Sequence, residues 1–157
     1  MARVLITGMS GTGKSSVIEA LQCRGYRAID TDEDDWCVPG ADGALIWNEE
    51  KMASLLDSAG DSPLIVQGTV ENQGKFYDRI DHIVLFSAPI DVLLERVAAR
   101  MNNPYGKLPH ERAEIRVYHE VVEPILRRRC TLELDSGSMS IEQMTDVVAR
   151  LASDMDG

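Results

Sequence analysis

Four residues near the start of the chain, Gly8, Gly13, Lys14 and Ser15, have the types and spacing of a phosphate-binding loop, G-x-x-x-x-G-K-[ST]. Glycine tolerates the positive φ angles that let successive backbone N–H groups converge on phosphate oxygens. The lysine ammonium reaches the β- and γ-phosphates, and the serine hydroxyl is a ligand for Mg²⁺. The residues predicted to bind ATP in this loop are Gly8, Ser10, Gly11, Thr12, Gly13, Lys14, Ser15 and Ser16.

The elements on either side of the loop favour this interpretation over a flexible glycine turn with a surface lysine. A β-branched apolar run at 3–7 precedes the loop, and Val17, Ile18 and Leu21 follow it at helical spacing. Strand, loop and helix are the context in which this motif binds phosphate, because the positive end of the helix adds to the loop amides.

Strands and helices alternate along the rest of the chain, which predicts an α/β fold with a five-stranded parallel sheet covered by helices on both faces. Ligands of such sheets bind at the carboxyl ends of the strands. Helices are expected from about Asn48, from Pro89, over 109–129 and from Ser140, where Gln143 completes a capping box. The predicted strands lie at 3–7, 26–29, 64–67, 82–86 and 131–134, with a loop between the second strand and Asn48.

The overall charge excludes some classes of partner. The chain has 157 residues and a formal net charge of −10, so it has no basic footprint for nucleic acid or an anionic membrane. The apolar run near the N-terminus is too short for a signal peptide or a membrane span, and the three cysteines form no CxxC pair. We therefore expect a cytoplasmic protein, a monomer or a homodimer, with a local positive site for ATP.

The early phosphate loop, the short chain and the arginine-bearing segment near residue 100 resemble the nucleoside monophosphate kinase and shikimate-gluconate kinase group of P-loop kinases. The resemblance spans nearly the whole chain, so it implies a single P-loop kinase domain over 1–157. It also implies a doubly wound sheet of P-loop NTPase type, with strand order 2-3-1-4-5. A short lid over about 101–116 would close over ATP, and the γ-phosphoryl group would move to a small acceptor.

The acidic segment after the second strand resembles the D-x-D of shikimate-type kinases. The resemblance implies that Asp30 binds a water molecule on the metal ion that Ser15 ligates. It also implies that Asp32 orients or deprotonates the acceptor hydroxyl. Asp34 is an alternative for either role. Because carboxylates are plentiful here, a solvated acidic loop is the competing interpretation.

The end of the third strand, Gln67-Gly68-Thr69, resembles the place where the acceptor approaches a glycine in this group. Gly68 and Asn72 are therefore predicted to bind the acceptor, although Asn-Gln-Gly is also ordinary turn chemistry. The segment has neither the glycine-x-proline-arginine of the monophosphate kinases nor the triple glycine of the shikimate kinases. The sequence leaves the acceptor open.

Two pairs of arginines at helical i,i+4 spacing flank the break at 101–108, where Asn, Pro and Gly interrupt the helical pattern. By resemblance, Arg96 stacks on adenine and Arg100 reaches a phosphate, whereas a solvated face paired with nearby carboxylates is the alternative. Beyond the break, Arg112 or Arg116 is expected to swing in as an arginine finger when the lid closes.

These patterns together predict an ATP- and Mg²⁺-dependent phosphotransferase that acts on a small acceptor, either a hydroxylated metabolite or a nucleotide. Within the same class, a nucleoside monophosphate kinase is the alternative. A nucleotide-binding switch or slow ATPase without a small-molecule acceptor is an alternative from a different class.

Overall fold

The computed structural model of the protein describes residues 2–100 and 106–153. Seven strands and five α-helices form its framework, with a short 3₁₀ helix at Gln73–Arg79. The strands are β1 Arg3–Gly8, β2 Arg27–Asp30, β3 Cys37–Pro39, β4 Leu45–Trp47, β5 Leu64–Gln67, β6 His82–Ser87 and β7 Leu132–Asp135. The helices are α1 Lys14–Cys23, α2 Glu49–Ala59, α3 Ile90–Ala99, α4 Pro109–Arg129 and α5 Ile141–Ser153.

Five strands form one sheet in the order β2-β5-β1-β6-β7, and every neighbouring pair is parallel. The strands β3 and β4 form a separate hairpin. When the remaining five strands are numbered in chain order, their order in the sheet is 2-3-1-4-5. The predicted α/β class and strand order are therefore confirmed. The central strand is β1, so the phosphate loop leaves the middle of the sheet at its carboxyl edge.

Apolar side chains alternate between the two faces of the sheet, as expected for strands with a period of two. On β1, Val4 and Ile6 belong to a core with the buried residues of α1 and α5, whereas Leu5 belongs to the core against α2. Both faces of the sheet are thus covered, which fixes the register of each strand because a slip of one residue would turn its apolar side chains to the wrong face.

The predicted helix starts are confirmed in their capping. The Asn48 side chain accepts a hydrogen bond from the Lys51 backbone N–H, which opens α2. The Ser140 N–H donates to Gln143 Oε1 at 2.8 Å, and the Gln143 N–H donates to Ser140 Oγ at 3.0 Å. Pro89 differs slightly from its expected place, since it is the residue before α3 rather than part of the first turn.

The expected loop between β2 and α2 contains an antiparallel hairpin, β3 and β4. Its strands have three residues each, too few to show an alternating pattern. Trp47, which is 1% exposed, anchors the hairpin under the sheet edge, and its Nε1 donates to Thr31 Oγ1 at 2.9 Å. Distant contacts therefore stabilise the hairpin, so local sequence does not reveal it.

Among residues 2–100 and 106–153, no helix has the length and apolar character needed to cross a membrane.

An ion-pair network that includes the buried carboxylate of Glu123 joins α4 to the β6–β7 edge, with the Arg127 side chain 46% exposed. Arg127 Nη2 donates to Glu123 Oε1 at 2.6 Å and Arg127 Nε donates to Glu133 Oε1 at 2.7 Å. Glu123 is 4% exposed, and Ser87 Oγ donates to the second oxygen of Glu133 at 2.7 Å. The hydrogen bond from Arg127 lowers the pKa of the Glu133 carboxyl.

We predict that Arg127→Ala lowers the free energy of unfolding by about 3 kcal/mol at neutral pH, because it leaves the buried Glu123 charge without this partner. The measurement is urea denaturation. A group whose pKa is lowered in the folded state adds stability above its unfolded pKa and loses it as pH falls, so the deficit should shrink in acid. Arg128→Ala, an exposed neighbour, is the control; an equal loss in both variants would contradict the prediction.

Candidate active site

The phosphate loop begins where Gly8 packs against β6. A Cβ on Gly8 would lie 2.2 Å from the Phe86 carbonyl oxygen, and the residue has a φ of 148°. No residue other than glycine fits without moving the strands. Gly13, at a φ of 93°, then precedes the first turn of α1. The loop therefore runs from the end of β1 to a helix N-terminus, as the motif predicts.

Two threonines hold the loop in shape. Thr69 Oγ1 donates to the Gly8 carbonyl at 2.8 Å and lies 3.1 Å from the Gly8 N–H and 3.0 Å from Thr7 Oγ1. Thr12 is fully buried, and its hydroxyl donates to the Met9 carbonyl at 2.8 Å. The predicted ligand-binding residue Thr12 thus uses its side chain to brace the loop.

Lys14 lies across the loop with its ammonium near the carbonyl oxygens. Its Nζ donates to Gly8 O at 2.7 Å and to Met9 O at 2.9 Å. Burial lowers the pKa of Lys14 to about 8; the charges of Asp32 and Asp30 oppose this shift, and that of Arg100 adds to it. The ammonium is therefore charged at neutral pH but close to its titration range.

Ser15 and Asp30, the two residues predicted to serve a metal, lie together. The Ser15 hydroxyl donates to Asp30 Oδ2 at 2.8 Å, at the start of α1. Hydroxyl and carboxylate oxygens are the donors that Mg²⁺ prefers, and the ion commonly takes its other ligands from water and substrate phosphates. The residues present therefore fit Mg²⁺.

A glutamine joins the two carboxylates of the D-x-D segment. Gln67 Nε2 donates to Asp30 Oδ1 and, at 3.2 Å, to Asp32 Oδ2. The Asp32 N–H also donates to Asp30 Oδ1, at 2.9 Å. The parallel register places Asp30 beside Gln67, so the arrangement follows from the pairing of β2 with β5.

Arg96 ties the phosphate loop to the segment after β7. Its Nη1 donates to Gly11 O at 3.1 Å and to Ser136 Oγ at 3.0 Å, while Nη2 donates to Ser136 O at 2.5 Å. The predicted cofactor residue therefore borders the nucleotide side of the site, where its guanidinium organises two loops.

These elements surround one open cavity of about 560 Å³, which lies at the carboxyl edge of the sheet. Asp32 and Arg100 face it together with the phosphate loop, so the predicted acceptor-side carboxylate and a phosphate-side arginine share one space. The lining residues are Ser10, Gly11, Gly13, Lys14, Ser15, Ser16, Asp32, Arg96, Arg100, Ser136, Met139, Ile141 and Met144.

Gly68 and Asn72, which were predicted to bind the acceptor, pack against Thr31 and Trp47 or hydrogen-bond to Trp47. A Cβ on Gly68 would lie 2.4 Å from Thr31 Oγ1 and 3.1 Å from Trp47 Nε1, so internal packing already requires glycine. The Asn72 side chain accepts from the Trp47 N–H and donates to the Trp47 carbonyl, each at 3.0 Å. Acceptor binding by either residue stays a prediction.

Asp34, Arg112 and Arg116 lie outside the lining of this cavity, as do Gly8, Thr12 and Asp30. Asp34 is exposed, and its backbone carbonyl accepts from Lys51 Nζ at 2.5 Å. Arg112 and Arg116 lie near the start of α4, the second of them exposed. The lid predicted over about 101–116 falls partly on 101–105, outside the described residues, so the arginine finger stays a prediction.

Gln67 and Thr69 are the site residues that the sequence interpretation missed. A polar residue at the end of an apolar strand, Leu64–Gln67, was the available signal for Gln67. The predicted strand order puts that end between Asp30 and the phosphate loop, where a buried amide needs hydrogen-bond partners. Thr69 had no comparable signal, because its partners, the Gly8 backbone and the Thr7 hydroxyl, lie 61 and 62 residues away in the chain.

The glycine loop, the lysine and the parallel order of the sheet define a P-loop nucleotide-binding protein. A family model described as "AAA domain" matches residues 4–118, well over half of the chain, and the chain belongs to this family. The resemblance to the P-loop kinases of the monophosphate and shikimate kinase group is confirmed for family and fold.

Relatives and solved structures agree with this assignment. A protein of Archaeoglobus fulgidus described as "Putative adenylate kinase" is 29% identical over 92% of this chain and 79% of its own length. Shikimate kinase from Acinetobacter baumannii, solved with shikimate, has a TM-score of 0.65 at 15% identity, covering 96% of this chain and 92% of its own. The YorR protein of Bacillus subtilis, solved with phosphorylated GDP, has a TM-score of 0.65 at 15% identity, covering 95% and 94%.

We predict that nucleotide binds more weakly as pH rises through about 8, because Lys14 then loses the charge that attracts phosphate. Above that pH the affinity for ADP should fall by up to about tenfold per pH unit. The fall should end at the higher pKa that Lys14 has when phosphate is bound, because above it the complex also loses the proton. Calorimetry between about pH 7 and about pH 9.5 measures it, with uptake of a proton on binding near pH 8. Lys14→Gln should bind weakly at every pH; a wild-type affinity independent of pH would contradict the prediction.

Proposed function

We propose that the protein transfers the γ-phosphoryl group of ATP, with Mg²⁺, to a small hydroxyl-bearing acceptor. The observation that carries the proposal is the cavity in which Lys14 and Arg100 lie with Asp32. Phosphoryl transfer needs cations for the charge of the phosphates and a carboxylate for the proton of the acceptor. A site for nucleotide binding alone has no need of the second group.

The nucleotide side of the cavity supports binding of ATP by its phosphates. The phosphate loop contributes Ser10, Gly11, Gly13, Lys14 and Ser15 to the lining of the cavity, and Lys14 supplies the charge. Arg96, Ser136 and Met139 form the wall beyond the loop, where the adenosine would lie.

The chemical step follows from the positions of the ionisable groups. The acceptor hydroxyl oxygen attacks the γ-phosphorus, the bond from that phosphorus to the bridging oxygen breaks, and ADP leaves with the electron pair. Asp32 accepts the hydroxyl proton, while Lys14 and Arg100 offset the charge on the phosphate oxygens. The acceptor and ATP are held in one cavity, so positioning supplies much of the rate.

Ser15 and Asp30 are the residues that would hold Mg²⁺. The ion would neutralise negative charge on the phosphates of ATP. Before binding, the hydrogen bond between Ser15 and Asp30 keeps both oxygens on the same side of the loop.

The distribution of cations favours an acceptor without a phosphate or carboxylate group. All 16 lysines and arginines fall within the described part of the chain. On the hairpin side, Lys51 lies over the Trp36 ring and donates to the Asp34 carbonyl, and Lys75 pairs with Glu49 at 3.0 Å. The cations that line the cavity are Lys14, Arg96 and Arg100, and ATP would use them for its own phosphates and adenosine. The acceptor side is left with the carboxylate of Asp32.

A nucleoside monophosphate acceptor is the second candidate. The Archaeoglobus relative described as "Putative adenylate kinase" is the observation that favours it. Such an acceptor would need a cation for its own phosphate, and Arg112 and Arg116, near the start of α4, are the candidates in this chain.

We predict that Asp32→Asn abolishes transfer while ATP still binds, because the variant keeps the size of the side chain but loses its basicity. The expected loss in kcat is about 100- to 10,000-fold. Transfer from labelled ATP is measured against a panel of neutral polyols, amino alcohols, hydroxy acids and nucleoside monophosphates. Binding of ATP is followed separately by calorimetry.

Two controls bracket this experiment. Lys14→Ala should lose both ATP binding and transfer, whereas Asp42→Asn, in the turn of the hairpin, should lose neither. Hydrolysis of ATP at a rate indifferent to every acceptor would sink the kinase proposal and support a switch or slow ATPase. Transfer restricted to nucleoside monophosphates would support the second candidate.

A further inference from the structure

Gln67 is a buried polar residue at the carboxyl end of β5, between the strands that carry the two halves of the site. In the register of the sheet it lies beside Asp30 of β2 on one side and Ile6 of β1 on the other. It is completely buried. Water does not reach an amide at this depth, so its hydrogen bonds must come from the protein. Its Nε2 has such partners, whereas its Oε1 has no hydrogen-bond partner among the described residues.

Both N–H groups of the Gln67 amide have carboxylates near them. A primary amide has two N–H donors, and Nε2 donates to Asp30 Oδ1 and to Asp32 Oδ2 at 3.2 Å. The other oxygen of Asp30 accepts from the Ser15 hydroxyl at 2.8 Å. One side chain therefore connects the metal-side carboxylate to the acceptor-side carboxylate.

The main chain of Gln67 also contacts the segment Asp30-Thr31-Asp32. Its carbonyl accepts from the Thr31 N–H at 3.2 Å and from Thr31 Oγ1 at 2.8 Å. Thr31 is the residue between the two aspartates, so Gln67 contacts all three members of Asp30-Thr31-Asp32. These contacts go beyond the needs of one buried group, because the side chain donates to both carboxylates and the main chain accepts from the residue between them.

Two carboxylates this close repel each other, and the repulsion would rotate Asp32 away from Asp30. A neutral donor between them offsets the repulsion, and its hydrogen bonds are strengthened by the low local dielectric. A glutamate here would add a third charge, and a leucine would fill the space without donating. The chemistry of this position therefore calls for an amide.

We propose that Gln67 is a positioning residue that sets the spacing of Asp30 and Asp32 and so couples the metal side to the acceptor side. This inference rests on the proposed function of the site. Gln67 touches neither substrate; it acts through the two carboxylates. Misplacement of a reacting group by about 1 Å lowers the rate by roughly 100-fold, so an effect of that order is expected in kcat.

The test uses Gln67→Leu and Gln67→Asn in the full chain, with Gln22→Leu as the matched control. Gln22 also donates through its amide, to the Ala28 carbonyl at 2.8 Å, but it contacts neither carboxylate. Folding of each variant is checked by circular dichroism and thermal melting. The shorter Gln67→Asn keeps an amide that reaches one carboxylate, so it should fall between Leu and the wild type.

The deciding measurement is the affinity for Mn²⁺ at saturating ADP, followed by electron paramagnetic resonance, since it needs no acceptor. Gln67→Leu should weaken Mn²⁺ binding by roughly tenfold, the lower end for residues that support metal ligands. Its affinity for ADP without metal should stay within about twofold of the wild type, because the phosphate loop is intact. Gln22→Leu should match the wild type in both measurements.

Unchanged Mn²⁺ affinity in a folded Gln67→Leu, with only its melting temperature lowered, would overturn the inference. In transfer assays, the variant should lose roughly 10- to 100-fold in kcat with KM for ATP nearly unchanged. If the wild type transfers phosphate to no acceptor, the proposed function is wrong. If Gln67→Leu nevertheless binds Mn²⁺ more weakly than the wild type, the metal-side role of Gln67 is still supported. The two failures are therefore distinguishable.

Discussion

The close packing of β1 against β6 at Gly8 is the constraint on which the rest of the site depends. Gly8 pairs with Phe86 in the sheet, and no space for a side chain separates it from the Phe86 carbonyl oxygen. The chain leaves the sheet at Gly8, and the phosphate loop leads from there to the start of α1 at Lys14. Thr69, from the end of the neighbouring strand, fixes the other side of the same residue. Phosphate binding is thus a consequence of strand packing.

The charges of the site are balanced locally within an acidic molecule. A net charge of −10 would repel a polyphosphate at long range, so affinity must come from short-range contacts. Lys14 shows the balance: burial lowers its pKa, and Asp32 and Asp30 partly restore it. These two carboxylates therefore help to keep Lys14 charged at neutral pH.

Much of the fold was predictable, because the five parallel strands are apolar runs that end in turn residues and the phosphate loop has a distinctive spacing. The hairpin was not, since each of its strands has three residues and Trp47 is held by Thr31 and Asn72 from elsewhere in the chain. The contacts of Gln67 with Asp30 and Asp32 could not be predicted from the sequence either. A single polar residue at a strand end gains meaning only when the register places it beside Asp30.

The hairpin also changes how acceptor specificity should be understood. Gly68 and Asn72, at the expected acceptor contact, are committed to packing and hydrogen bonds around Trp47, so they shape a wall. The acidic segment after β2 contributes Asp32 to the cavity, and beside it Asp34 and Asp35 adopt left-handed backbone angles of φ 56° and 60°. In the proposed mechanism Asp32 is the base, so a change in this turn that alters acceptor binding would also move the base.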